Sequence, residues 1–451
     1  MRKILRIVVL LCLIASCVVF VSCDKDNRKQ KTYEMNPVFD IQIDIDSKTV
    51  LAIVSMDFTS QIDSDRIIMQ YYPLRFGETV TDVEEITVNQ TKADYNLSKE
   101  ISAITVNHSV KAGERTNATV KYELTLPNCA DRLGFVENYY SLCRFYPYVA
   151  PIVDGDYSAR AYCENGETEL FYTANFDVTI RISDKFVVAH TGNSYEINTE
   201  NGLKTYEIKA DGVRDFAIAY SKNFTMRKTD CNGVSINYYF LNDATPNFEL
   251  EVTKKALTTF EKLFGAYGRQ KLSLVIAPFV NGGMEYSELI VVNDQLKDAA
   301  REETIAHEVA HQWWFMKVGN DQAREPWIDE SLAEFSAALY FLETDRGQTF
   351  ESIRKYGMKT LQNRTIDKKP CNIRGSVYEF DDKAYSDCVY TIGCLMWINL
   401  YSVKGPTLID DLAKYVETYS GKIATETDVS SAAFAGYESM LVAWLDGKVI
   451  V

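Results

Sequence analysis

Histidine is scarce in this chain, with four among 451 residues. Any chemistry that needs imidazole must therefore come from very few positions. Long basic runs are missing too. With 63 acidic against 48 basic residues and a formal net charge of −15, the chain has no cationic stripe to release counterions from a phosphate backbone, which argues against nucleic acid as a partner. The acidity suits solubility and names no partner. No internal repeat or low-complexity linker separates domains, so a boundary must be sought in a change of pattern. Closely paired cysteines of the kind that build a structural zinc knuckle are also absent.

What is present begins at the N-terminus. Arg2, Lys3 and Arg6 precede an apolar run from Ile7 to Val21, then Ser22, Cys23 and the polar string DKDNRKQ. The run is short for a membrane span, so residues 1–22 read as a secretory signal peptide. They resemble bacterial lipoprotein signals. That resemblance implies lipidation of Cys23, with Cys17 as the alternative acceptor, residues 23–32 as a tether, and an N-terminal lipid anchor in a membrane. The expected location is the bacterial cell envelope, on its periplasmic or cell-surface face. Seven further cysteines, Cys129, Cys143, Cys163, Cys231, Cys371, Cys388 and Cys394, cannot all pair, and their spacing does not give a connectivity.

The hydrophobic content of 46% is enough for two or three domains. From about Tyr33 to Phe224 the pattern alternates with period two, as in VFDIQIDID, ATVKYELTL and FDVTIRIS, which predicts half-exposed strands. Asn201-Gly202 between two alternating runs predicts a hairpin. After GVSINYYFLN the period becomes helical. A helix is expected from just after Pro246 to Gly265, two strands around Gly282 and Gly283, and helices over 297–317, 328–344 and 384–401. The boundary thus falls between Ser221 and Asn232.

The chemistry centres on AHEVAHQWW, Ala306 to Trp314. A spacing of four returns to within about 40° of the same helix face, so His307 and His311 can reach one ion, with Glu308 about 100° round from His307. This is the H-E-x-x-H pattern of zinc peptidases. A catalytic zinc wants a third protein ligand and one open position, and Glu330 lies nineteen residues beyond His311. These four residues at this spacing, with HQWW, VGND and EPWIDESLAE around them, resemble the gluzincin aminopeptidases, the family of aminopeptidase N and leukotriene hydrolase.

NGGMEY at Asn281 to Tyr286 resembles that family's exopeptidase motif, usually G-A-M-E-N, with Tyr286 where asparagine is usual. The likeness implies that Glu285 binds the α-ammonium of a substrate, by a charge-assisted bond, and that Gly283 lets backbone approach it closely. Tyr390, with Gly393 three residues on and Tyr385 five before, resembles the family's tyrosine helix. It implies Tyr390 as oxyanion donor, with Tyr385 in that role, or core packing of Tyr390, as alternatives. Glu334 either supports a ligating histidine from behind or belongs to a solvated helix face. Trp313, Trp314 and Trp327 read as core, and His108 and His190 as structural.

The specific resemblance covers residues 216–397, and reaches the β half only loosely through CRFYPYVAP. It implies an antiparallel β saddle domain over residues 33–224. A mostly helical, thermolysin-like zinc peptidase domain with a small sheet follows over 225–451. It also implies one zinc ion per chain on His307, His311 and Glu330, with Glu308 as the base. The expected activity is removal of N-terminal residues from peptides with a free N-terminus. An endopeptidase or other hydrolase using the same zinc, and a non-catalytic peptide-binding surface lipoprotein, are the alternatives.

Overall fold

A computed structural model describes residues 35–449, apart from residue 78 and residues 243–246. The signal segment with Cys17 and Cys23, and the tether, lie outside the described residues. In the first half, period-two alternation yields strands with one buried and one wetter face. Met35–Asp44 buries Met35, Pro37, Phe39, Ile41 and Ile43 and turns the residues between them outward. It sits inside an eight-stranded sheet ordered Asn193–Glu200, Leu203–Val213, Ala174–Ser183, Met35–Asp44, Thr49–Thr59, Arg115–Thr125, Thr81–Val88, Thr91–Lys92. Asn201 and Gly202 turn the first hairpin with φ of 53° and 77°, the positive values a type I′ turn requires.

The expected all-antiparallel pairing fails at one place: Met35–Asp44 runs parallel to Ala174–Ser183. A parallel pair needs a long crossover, and the chain travels through residues 45–173 before it returns. Two four-stranded sheets and a two-stranded one, Ile152–Val153 with Asp156–Tyr157, complete this half. The ring of Phe39 meets Phe145, Tyr146, Phe176 and Phe216 at centroid separations of 6.0, 4.7, 5.6 and 6.1 Å, a mostly edge-on packing that aromatic quadrupoles favour.

Sheet membership changes between Ser221 and Thr225. Thr225–Cys231, Val234–Phe240, Lys271–Ala277, Leu289–Asn293 and Gly283–Met284 form a second large sheet in that order. Helix α1, Phe248–Phe264, crosses between two parallel strands and stops at Gly265, where φ is 92°. Lys271–Ala277 is buried throughout, as a parallel strand covered on both faces must be. Gly283–Met284 is the sheet's edge.

Helix α2, Asp298–Ala310, packs between α1 and α3, Trp327–Glu343. Helix α4, Gly347–Ile366, has only Phe350, Gly357, Thr360 and Leu361 buried, too thin a stripe for periodicity to reveal it. Two π-helical segments follow functional stretches of sequence. Gln312–Lys317 continues α2, and Ser386–Ile392 joins α5, Asp382–Tyr385, to α6, Gly393–Lys404. A Cys371–Cys388 disulfide ties the loop before α5 to the second segment, while Cys129, Cys143, Cys163, Cys231 and Cys394 are free thiols.

The two halves pack as one unit. Arg214, buried, donates to the carbonyls of Phe171 at 2.9 Å, Lys317 at 3.0 Å and Lys422 at 2.8 Å, and to that of Phe315. Its guanidinium fits because residue 319 is glycine; a Cβ there would lie 2.4 Å from the guanidinium carbon. The β half thereby holds the end of the π segment that carries on from the His307 helix.

Candidate active site

His307 and His311 close the last turn of α2 and face a cleft of ≈ 440 Å³ that is also lined by Glu285, Glu308, Glu330 and Tyr390. Glu330 comes from the first turn of α3, where a carboxylate also suits the helix dipole. The two Nε2 atoms are 3.0 Å apart, and Glu330 Oε2 lies 3.3 Å from each. That oxygen is in hydrogen-bond geometry with neither. Four-coordinate zinc with ligands at about 2.0–2.1 Å separates neighbouring ligand atoms by about 3.3 Å. The trio therefore fits the ion, leaving one position open.

Electrostatics agree with that fit. Burial opposes charge on both imidazoles, yet the Glu330 carboxylate prevails, raising His311 to about 9 and His307 well above its ordinary value. Burial likewise opposes ionisation of Glu330, and the two imidazoles hold it below the carboxylate range. The site wants positive charge, as protons or as a metal dication. Glu334 Oε1 is 3.3 Å from His307 Nδ1, outside hydrogen-bond geometry, and its side chain is 25% exposed.

Glu308 is buried, and its Oε2 has no hydrogen-bond partner. Burial raises its carboxyl to about 8. A Cβ at Gly283 would lie 2.3 Å from Glu308 Oε1. Glycine is needed there to seat Glu308, a reason the sequence did not disclose. Glu285 follows on the same edge, raised to about 7 by burial, and accepts from Gln322 Nε2 at 3.2 Å. Oxygens of Glu285 and Glu308 and a nitrogen of His311 lie within 4.8 Å of one another. Tyr286 instead turns into an apolar cluster with Val275 and Leu289, so the departure from asparagine takes that side chain into the core.

Tyr390 belongs to the second π segment, and such bulges recur at functional sites. Its ring stacks on His307 at 6.0 Å and 22°, and Tyr385 meets it edge-on at 5.5 Å. Burial raises both phenols well above their ordinary value, so both keep their protons. Gly393 allows this placement: a Cβ there would sit 2.6 Å from Ser331 Cβ, next to Glu330. Trp313, Trp314 and Trp327 are core, each at most 1% exposed. His190 bonds to Thr191 O and Ser194 Oγ, and neither it nor His108 joins a potential metal cluster among the described residues.

The β half supplies a wall that sequence reading missed. Arg132 and Glu167 line the cleft, joined by a 3.0 Å bond from Arg132 Nε. Arg144 then pairs with Glu167 at 2.8 Å and Glu169 at 2.7 Å. Gly166 lets this loop approach Tyr385, whose hydroxyl would be 2.3 Å from a Cβ. Partners so distant in sequence leave no local pattern to find.

Residues 248–443 match the Peptidase family M1 domain. Among known proteins, the chain is similar to Aminopeptidase M1-A of Oryza sativa subsp. japonica, 26% identical over 48% of this chain and 26% of that protein. It is also similar to Tricorn protease-interacting factor F2 of Thermoplasma acidophilum, 30% identical over 29% of this chain and 19% of that protein. The matched part thus spans about a quarter or less of these relatives' length. The M1 zinc metallopeptidase of Deinococcus radiodurans shares the fold over 93% of this chain and 95% of its own, with a TM-score of 0.70 at 15% identity. A mutant form of a two-domain M1 zinc metallopeptidase has been solved with L-tryptophan bound (TM-score 0.71, 15% identity, 94% of this chain and 96% of that one). Residues 248–443 are thus an M1 peptidase domain, similar to those of M1 aminopeptidases, and the two-domain fold is the one that M1 zinc metallopeptidases share.

Proposed function

We propose that the protein is an aminopeptidase that removes the N-terminal residue of peptides. The observation that carries this reading is Glu285: a buried carboxylate on a sheet edge, in no ion pair among the described residues, beside Glu308 and the His307–His311–Glu330 trio. Such a group suits an α-ammonium arriving with the substrate. The edge strand Gly283–Met284 suits the extended peptide behind it, by strand addition.

A zinc ion on His307, His311 and Glu330 would supply Lewis-acid polarisation of a carbonyl and a water of lowered pKa. The chain's own groups do the rest. Glu308, unpartnered and with its pKa raised by burial, takes a proton from the attacking water and returns it to the leaving amine. Tyr390, protonated and stacked on His307, donates its O–H to the oxyanion. Glu285 fixes the register, so that the first peptide bond is the one presented.

The leader's likeness to lipoprotein signals supports a further part of the proposal, that the enzyme works in the bacterial cell envelope on a lipidated Cys23 or Cys17. Glu308→Gln tests the chemistry. Turnover of aminoacyl substrates should fall by about two to four orders of magnitude with zinc content unchanged. Full activity in the zinc-loaded variant would remove Glu308 as the base, and zinc binding without turnover in the native chain would leave a peptide-binding protein.

A further inference from the structure

Gln322 takes no part in the chemistry above, yet it is buried between two carboxylates, with 3% exposure. Its Nε2 donates to Glu285 Oε1 at 3.2 Å and to Asp329 Oδ2 at 2.7 Å. Asp329 is itself fully buried and accepts a second bond, at 2.9 Å, from Asn320 Nδ2, which also donates to Glu325 O at 3.1 Å. The loop between the first π segment and α3 is thus braced against the residue preceding Glu330, and the brace ends on Glu285.

A primary amide is well suited to this place. It has two N–H groups, one for each carboxylate, and no charge. A lysine or arginine could hold Glu285 as firmly, but would neutralise it and occupy the position of the incoming ammonium. We propose that Gln322 is a positioning residue that aims Glu285 at the substrate's α-ammonium and so sets the preference for a free N-terminus. This rests on the aminopeptidase reading. Because the ammonium contact is made in the ground state and the transition state alike, losing the brace should weaken binding more than turnover.

The test uses Gln322→Met, which keeps length and loses the donor, with Gln322→Asn as a milder second variant and Glu285→Gln as reference. The substrates are an aminoacyl peptide and its N-acetylated form, and zinc content is measured for each protein. Gln322→Met should raise KM for the free amine about tenfold, as expected for a lost bond to a charged group. Its kcat should stay within about threefold, with zinc at one equivalent, and the preference for free over acetylated substrate should shrink about tenfold. Gln322→Asn should fall between. In the Glu308→Gln background, calorimetry should show the same loss of affinity for a free-amine peptide and none for its acetylated form. If Glu285→Gln loses the preference and zinc-loaded Gln322→Met keeps it, the brace is not what aims Glu285. If the native protein has no preference, the aminopeptidase reading fails first and takes this proposal with it.

Discussion

The two walls of the cleft are built on opposite principles. On the helical side, Glu285 and Glu308 are buried carboxylates in no ion pair among the described residues. On the β side, the carboxylates of Glu167 and Glu169 each face a guanidinium, in a chain of buried ion pairs that runs Arg132, Glu167, Arg144, Glu169. A buried polar group left unpaired is costly, and it persists where a ligand completes it. Charges that already face one another have no such need of a ligand and give shape. The contrast separates groups that act from groups that enclose, and substitutions should tell them apart.

The largest effect should follow removal of the metal. Chelation, or Glu330→Gln, should take peptide hydrolysis to background, and added zinc should restore only the chelated native protein. Next, Tyr390→Phe should lower kcat by about 10²–10³ with little change in KM, as loss of one oxyanion donor does. A larger loss in Tyr385→Phe would exchange the roles of the two tyrosines. Gly283→Ala should cost about 10² in kcat with full zinc content, since its Cβ displaces Glu308 rather than a ligand.

Zinc affinity should fall with falling pH by about tenfold per unit for each proton displaced. In the metal-free site His311 is raised from 6.5 to about 9, first against burial and then by Glu330. That ion pair stabilises the metal-free fold in full below about 6.5 and is lost as pH rises through about 9, whereas zinc needs the neutral imidazoles and gains over the same interval. Melting temperatures with and without zinc from pH 6 to 10 should therefore diverge upward. The smallest effect on turnover belongs to the enclosing wall. Arg144→Met should destabilise the fold by about 3–5 kcal/mol, by leaving Glu169 unpaired, while activity per bound zinc changes only a few-fold. A large loss of turnover at unchanged stability would erase the distinction between the walls.

The same contrast explains what could be read in advance. The metal trio and Glu308 lie within one stretch, 307 to 330, where helical spacing alone puts two histidines on one face. The Asn201-Gly202 turn and the Gly265 stop were equally local. Gly283 and Gly393 were visible as letters, but their reason is a contact across the fold, with Glu308 and with Ser331. Arg132, Arg144 and Glu167 gave no sign at all, because a buried ion pair between distant segments has no periodicity. The parallel pairing of Met35–Asp44 with Ala174–Ser183 was hidden for a like reason: alternation fixes which face is buried, not which strand comes alongside.

Whether Glu285 selects a free N-terminus is read from hydrolysis of a peptide and its N-acetylated form by the zinc-loaded protein, native and Glu285→Gln. The native enzyme should strongly prefer the free amine, and Glu285→Gln should lose most of this preference while retaining zinc. Equal rates on the two peptides with the native enzyme would contradict this, and would make the same site that of an endopeptidase.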